Sequence, residues 1–185
     1  MILKGNVEFT VKQASINEFT ELVGNIHKYN ILIAGSMGSG KTELSKILLN
    51  LMDRGQRNIV ICNYSNEYLQ MNSSNYIHFN NEGYELSLKK SLKLNPDRVL
   101  LDETRLPEDV VLLSNLASVG KKVISTMQAT SRFDAFSRYR KLGLEGLESS
   151  SEAAEAEISK SIDVILFVER VDSGPRQISI EMMHD

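Results

Sequence analysis

One cysteine is all this 185-residue sequence holds, so no intramolecular disulfide and no cysteine-rich metal site can form. Cys62 alone is the pattern of a reduced, cytosolic compartment. The three histidines, His27, His78 and His184, have no ligand spacing, which argues against a structural metal. Positive charge is not in excess: the formal net charge is −3 and the pI about 5.7. A sequence-independent grip on nucleic acid needs clustered Lys and Arg, so there is no strong nucleic-acid signal. No apolar run approaches the ~20 residues that span a bilayer. The opening MILKGNVEF lacks the apolar core and cleavage site of a signal peptide. Direct membrane insertion is therefore not expected, and a peripheral membrane role would pass through partners.

With 42% hydrophobic and 24% charged residues, the chain is expected to bury one ordinary core. Residues 1 to 14 read as an edge strand or hairpin arm turning at Lys4-Gly5-Asn6. Residues 15 to 28 read as a helix with Ser15 as N-cap, Glu18 three positions on, and Phe19, Leu22, Val23 and Ile26 on one face. ILIAG, residues 31 to 35, predicts a strand buried on both faces. Leu44, Ile47, Leu48 and Leu51 mark the next helix. Further strands are expected at 58 to 62, 97 to 102 and in KKVIST, with helices at 83 to 94, 107 to 119, 131 to 141 and in SSSEAAEAEISKS. DVILFVER and RQISIEM, joined through Asp172-Ser173-Gly174-Pro175, read as a closing hairpin. Residues 142 to 153 read as a mobile loop. This alternation predicts an α/β fold: a mostly parallel sheet flanked by helices, with an antiparallel edge. Residues 1 to 30 are expected to form an arm packed on a domain spanning 31 to 185.

GSMGSGKT, residues 35 to 42, satisfies G-x-x-x-x-G-K-[ST] and lies after a strand and before a helix. In such a loop the main-chain N–H groups turn inward onto phosphate oxygens and the helix N-terminus adds positive potential. Gly35, Ser36, Met37, Gly38, Ser39, Gly40, Lys41 and Thr42 are therefore the candidate nucleotide-binding residues. Lys41 would reach the β- and γ-phosphates, and Thr42 would ligate Mg2+. RVLLDE, residues 98 to 103, ends a second strand in two acids: Asp102 is expected to hold Mg2+ through water, and Glu103 to orient or deprotonate the attacking water. An acid that activates water favours an ATPase over a kinase, and no guanine-reading [NT]KxD is present, so ATP is the expected nucleotide.

PDRVLLDETRLPEDVVLLSNLASVGKKVISTMQATSRFDAFSRY resembles the traffic ATPases of type II and type IV secretion, type IV pili and conjugation. In that family a Pro-Asp-Arg leads into the second strand, which ends in Gly-Glu, a hydrophobic residue and Arg; Pro96-Asp97-Arg98 and Glu103-Thr104-Arg105 stand there, with Asp102 in the usual Gly position. The next strand ends in Ser/Thr-Thr-x-His-Ala, here Ser125-Thr126-Met127-Gln128-Ala129, followed by Ala135-Phe136-Ser137-Arg138. SIDVILFVERVDSGPRQISIEM is similar to its closing strands. The resemblance implies a RecA-like P-loop motor, a hexameric ring, and service to secretion, pilus or conjugation machinery at the inner face of the membrane. Three more positions depart from it. NYSNEYL keeps only Glu67 of the family's acidic box, Lys93 replaces an Arg, and only about thirty residues precede the phosphate-loop strand, leaving closure over nucleotide to a further segment or a partner.

Glu67 is a candidate for positioning water or Mg2+. Gln128, replacing the family's histidine, would sense the γ-phosphate while removing titration near neutral pH. Arg105 leads Arg138, Arg140 and Arg176 as a candidate charge-stabilising contact. Phe133, Phe136 and Tyr139 recur at helical spacing and read as core, beside a basic patch of Arg132, Arg138, Arg140 and Lys141. Two other readings stay open on these residues: a DNA-translocating motor, and a nucleotide-dependent binding switch with weak turnover.

Overall fold

The computed structural model describes residues 2–5, 7–52, 57–68, 71, 76–80 and 82–183. Its strands are β1 (Ile2–Lys4), β2 (Glu8–Val11), β3 (Ile31–Gly35), β4 (Asn58–Cys62), β5 (Tyr76–Asn80), β6 (Arg98–Leu101), β7 (Lys122–Gln128), β8 (Val164–Glu169) and β9 (Arg176–Met182). The helices are α1 (Ile16–Gly24), α2 (Lys41–Met52), α3 (Tyr84–Leu94), α4 (Pro107–Ser118), α5 (Arg132–Gly146) and α6 (Glu152–Lys160). All nine strands join one sheet in the order β1-β2-β9-β8-β3-β7-β6-β4-β5. Among the described residues only β1 with β2 and β8 with β9 pair antiparallel.

Period-two alternation in β3 divides the core into two layers. Ile31 and Ile33 face a cluster containing Phe19 and Leu22 of α1 and Leu44 and Leu48 of α2. Leu32 and Ala34 face the other cluster, with Leu113 and Leu116 of α4, Tyr139 of α5 and Ile158 of α6. The chain leaves β3 through α2 and re-enters the sheet at β4, passing over the places filled later by β7 and β6. Such a crossing opens a crevice at the carboxyl ends of the strands, where open α/β sheets bind ligands.

Several expectations are corrected. Ser15 precedes α1 but does not cap it; its hydroxyl accepts from the Ile180 N–H at 3.2 Å and so ties the helix start to β9. Asn6 lies outside the described residues. Leu51 is 43% exposed, and the fully buried Leu49 takes its place against the sheet. The closing hairpin is not at the edge, because β2 pairs parallel to β9 and carries β1 beyond it. Strand β5 is unanticipated: its half-exposed YIHFN has no clean alternation. Residues 142 to 146 continue α5, and α6 begins at Glu152 with the Ser151 hydroxyl accepting from the Ala154 N–H. The segment read as a loop is thus mostly helix.

Candidate active site

At the end of β3 the backbone must turn where no side chain fits. Gly35 has φ 156°, and a β-carbon there would lie 2.4 Å from the Val168 carbonyl oxygen and 2.7 Å from the Ser39 hydroxyl. Gly40 has φ 101°, and a β-carbon would press the Phe9 ring at 3.2 Å. Both approaches require glycine. Ser36, Met37 and Gly38 are exposed, Ser39 is buried beneath them, and α2 starts at Lys41. The Lys41 ammonium donates to the carbonyl oxygens of Gly35 (2.9 Å) and Ser36 (2.8 Å), bridging the loop that carries it. Burial lowers the Lys41 pKa, while Glu103 and then Glu67 raise it. Lys41, Glu103 and Glu67 therefore share one electrostatic neighbourhood although they are far apart in sequence.

The arrangement fits a phosphate group: glycines that let the loop fold tightly, a helix N-terminus and a lysine that donates to carbonyl oxygens. Among the described residues no group of three or more His, Cys, Asp or Glu could hold a metal by itself. Thr42 lies in the first turn of α2.

Two strands along, β6 ends in Leu101 and delivers Asp102, only 3% exposed. Its Oδ1 accepts from the N–H groups of Asn63 (3.2 Å) and Glu103 (2.9 Å), and its Oδ2 from those of Tyr64 (2.8 Å) and Ser65 (2.7 Å). Burial pushes the carboxyl up, and these donors pull it back. Asp102 is the residue expected to hold Mg2+ through water, and in this structure its oxygens accept from four main-chain N–H groups. Beside it, the Thr126 hydroxyl donates to the Asp102 carbonyl oxygen at 2.7 Å, and the Thr104 and Ser125 hydroxyls meet at 2.7 Å. The hydroxyl residues closing β7 thus stitch it to the end of β6.

Glu103 is paired with Arg105 at 2.6 Å. The Arg105 guanidinium lies over the Tyr64 ring, 4.7 Å from its centroid, and the Tyr64 hydroxyl donates to Asp109 Oδ2 at 2.8 Å. Asp109 also accepts from the N–H groups of Arg105 and Leu106, each at 2.8 Å, fixing the entry to α4. Tyr64 and Asp109 were missed by the sequence reading, since nothing local links residues 45 positions apart.

Gln128 ends β7 in register with Gly35 and is exposed, while its carbonyl oxygen accepts from Arg138. Glu67 is exposed at the turn after β4. Arg138 therefore holds main chain, and Arg140 pairs with Glu155. Arg176 passes the phosphate loop, its Cγ 3.8 Å from where a Gly40 β-carbon would lie. The expected aromatic core of α5 is only partly realised: Tyr139 is buried with its hydroxyl 2.9 Å from that of Ser161, but Phe133 is 82% exposed.

The family model described as "Type II/IV secretion system protein" matches residues 6–183. The type IV secretion system protein VirB11 of Bartonella quintana is 30% identical over 155 residues, covering 77% of this chain and 43% of that protein. Type II secretion system protein E of Aeromonas hydrophila is 28% identical over 160 residues, covering 80% and 31%. Among solved structures, the VirB11 ATPase of the Brucella suis type IV secretion system, in complex with sulphate, superposes with a TM-score of 0.79 at 25% identity, over 91% of this chain and 53% of that one. The pilus retraction motor PilT with bound ADP shares the fold, at a TM-score of 0.65 and 17% identity, over 90% and 50%. The chain spans less than half the length of the curated relatives it matches.

Proposed function

Since this chain belongs to the Type II/IV secretion system protein family, we propose that it binds ATP with Mg2+ and hydrolyses it to drive a secretion, conjugation or pilus-like machine. The observation that carries this reading is the loop of residues 35 to 42, which its glycines let fold tightly against Val168 and Phe9 at the N-terminus of α2, with Glu103 and Glu67 in the electrostatic neighbourhood of Lys41.

Gly35 to Thr42 wrap the phosphates, and the Lys41 ammonium leaves the carbonyl oxygens of Gly35 and Ser36 for the β- and γ-phosphates. Thr42 would hold Mg2+, which would supply positive charge against the phosphates. Glu103, released from Arg105, orients water and takes its proton, and Glu67 supports that water from the facing turn. Arg105, freed in the same movement, supplies a further positive charge to the developing negative charge. Gln128 reads the γ-phosphate from the neighbouring strand, coupling nucleotide state to motion. The working assembly is a ring of six copies in the cytoplasm, peripheral to the inner face of the membrane through partners. Residues 31 to 185 are its motor and residues 1 to 30 an arm packed against it. Among the described residues no helix is long and apolar enough to cross a membrane.

Replacing Lys41 by Ala removes charge-assisted hydrogen bonds to phosphate and should weaken MgATP binding on the order of a hundredfold. Calorimetric titration of both proteins checks this. Equal affinities would exclude the loop as the nucleotide site.

A further inference from the structure

Asp102 stands where the sequence puts a Mg2+ ligand, yet its surroundings are those of an anion already bound. Three successive N–H groups, those of Asn63, Tyr64 and Ser65, converge on one carboxylate, and the Glu103 N–H completes the set. Consecutive main-chain N–H groups aimed at one point form a concave anion site, a nest. Here the turn after β4 builds the nest and β6 supplies the anion. An ionised carboxylate offers about four acceptor positions, and four donors fill them. Turning toward an ion would cost the carboxylate, 3% exposed, these part-buried hydrogen bonds.

The two segments joined this way both carry candidate site residues. Glu103 follows Asp102 directly, and its own N–H is one of the four donors. Glu67 lies two residues beyond Ser65. The Tyr64 ring, locked by its N–H at one end and by Asp109 at the other, is the platform for Arg105, which grips Glu103.

We propose that Asp102 is a positioning residue: it clamps the 63–65 turn to the end of β6, setting Glu103 and Glu67 against the phosphate loop, and it does not ligate Mg2+. Mg2+ is left to Thr42, phosphate oxygens and water. The inference rests on the ATPase reading only for its kinetics, because hydrogen exchange reports the clamp whether or not the chain turns over ATP.

The first measurement uses the unaltered full chain. Amide exchange at Asn63, Tyr64 and Ser65 should be at least tenfold slower than for an open turn, and should stay within threefold of that rate when Mg2+ and ADP are added. Faster exchange on addition would show the carboxylate leaving the turn for the ion, and would overturn the proposal. The second measurement uses Asp102→Asn, which sets an NH2 group against donors that need acceptors. It should speed exchange at these amides at least tenfold and lower kcat at least tenfold, with KM for ATP and the Mg2+ concentration for half-maximal activity within twofold. A tenfold rise in that Mg2+ concentration with the amides still protected would identify Asp102 as a ligand and contradict the clamp.

Discussion

Cys62 closes β4 with its thiol buried, one residue before the turn that Asp102 gathers. Burial, and then the charge of Asp102, push the thiol up to about 11 from an ordinary 9.0. A raised folded-state value means that the unfolded chain ionises first as pH rises. The protonated thiol's contribution to stability is therefore complete below about pH 9 and is lost on the way to pH 11. Denaturant midpoints should fall more steeply across that window for the unaltered protein than for Cys62→Ala; parallel curves would mean that the thiol titrates normally. The same neighbourhood shows what residue-by-residue reading can reach. Gly35 to Thr42 declare themselves because the whole cradle is contiguous, and Glu103 because it ends an apolar strand. The surroundings of Asp102 are not legible in the sequence, because a carboxylate's partners are here main-chain N–H groups, which every residue possesses and no motif records. Tyr64 and Asp109 leave no trace because their contact exists only after β4 and β6 pair.

Helices α5 and α6 meet through a glycine. A β-carbon at Gly143 would lie 2.7 Å from three side-chain carbons of Ile158, so the two helices approach at a distance only hydrogen allows. Gly143→Ala should lower stability by about 1–3 kcal/mol despite its better helix propensity. Ile158→Ala alone opens a cavity, but in the Gly143→Ala background it also relieves the clash. The double variant should therefore be less destabilised than the sum of the singles by about 1 kcal/mol or more, as read by chemical denaturation; additive effects would contradict this packing. Element types followed from short apolar runs where both faces are buried, as in β3 and β8, whose residues alternate between two apolar layers. The segment from 142 to 146 reads as a loop because Gly143 and Gly146 break the helical pattern, and the packing that requires Gly143 is tertiary. Strand β5 escaped notice because an edge strand buries only part of its length.

At the scale of the molecule, strand order is what turns scattered residues into a site. Placing β7 between β3 and β6 brings Gln128 into register with Gly35 and ties Ser125 and Thr126 to the end of β6. Alternation along the chain foretold parallel pairing, but it could not foretell that β2 would join β9 and carry the sheet outward, since that pairing is made between segments more than 160 residues apart. The result is a rim on which Lys41, Glu103 and Glu67 share one electrostatic neighbourhood, with Glu103 paired to Arg105. Steady-state ATP hydrolysis by the unaltered chain and by Glu103→Gln, with MgATP affinity measured in parallel, tests this account most directly. The account predicts Mg2+-dependent turnover that falls about 10²- to 10⁴-fold in the variant with affinity within a few-fold. Unchanged turnover in Glu103→Gln, or none in either protein despite tight MgATP binding, would contradict it.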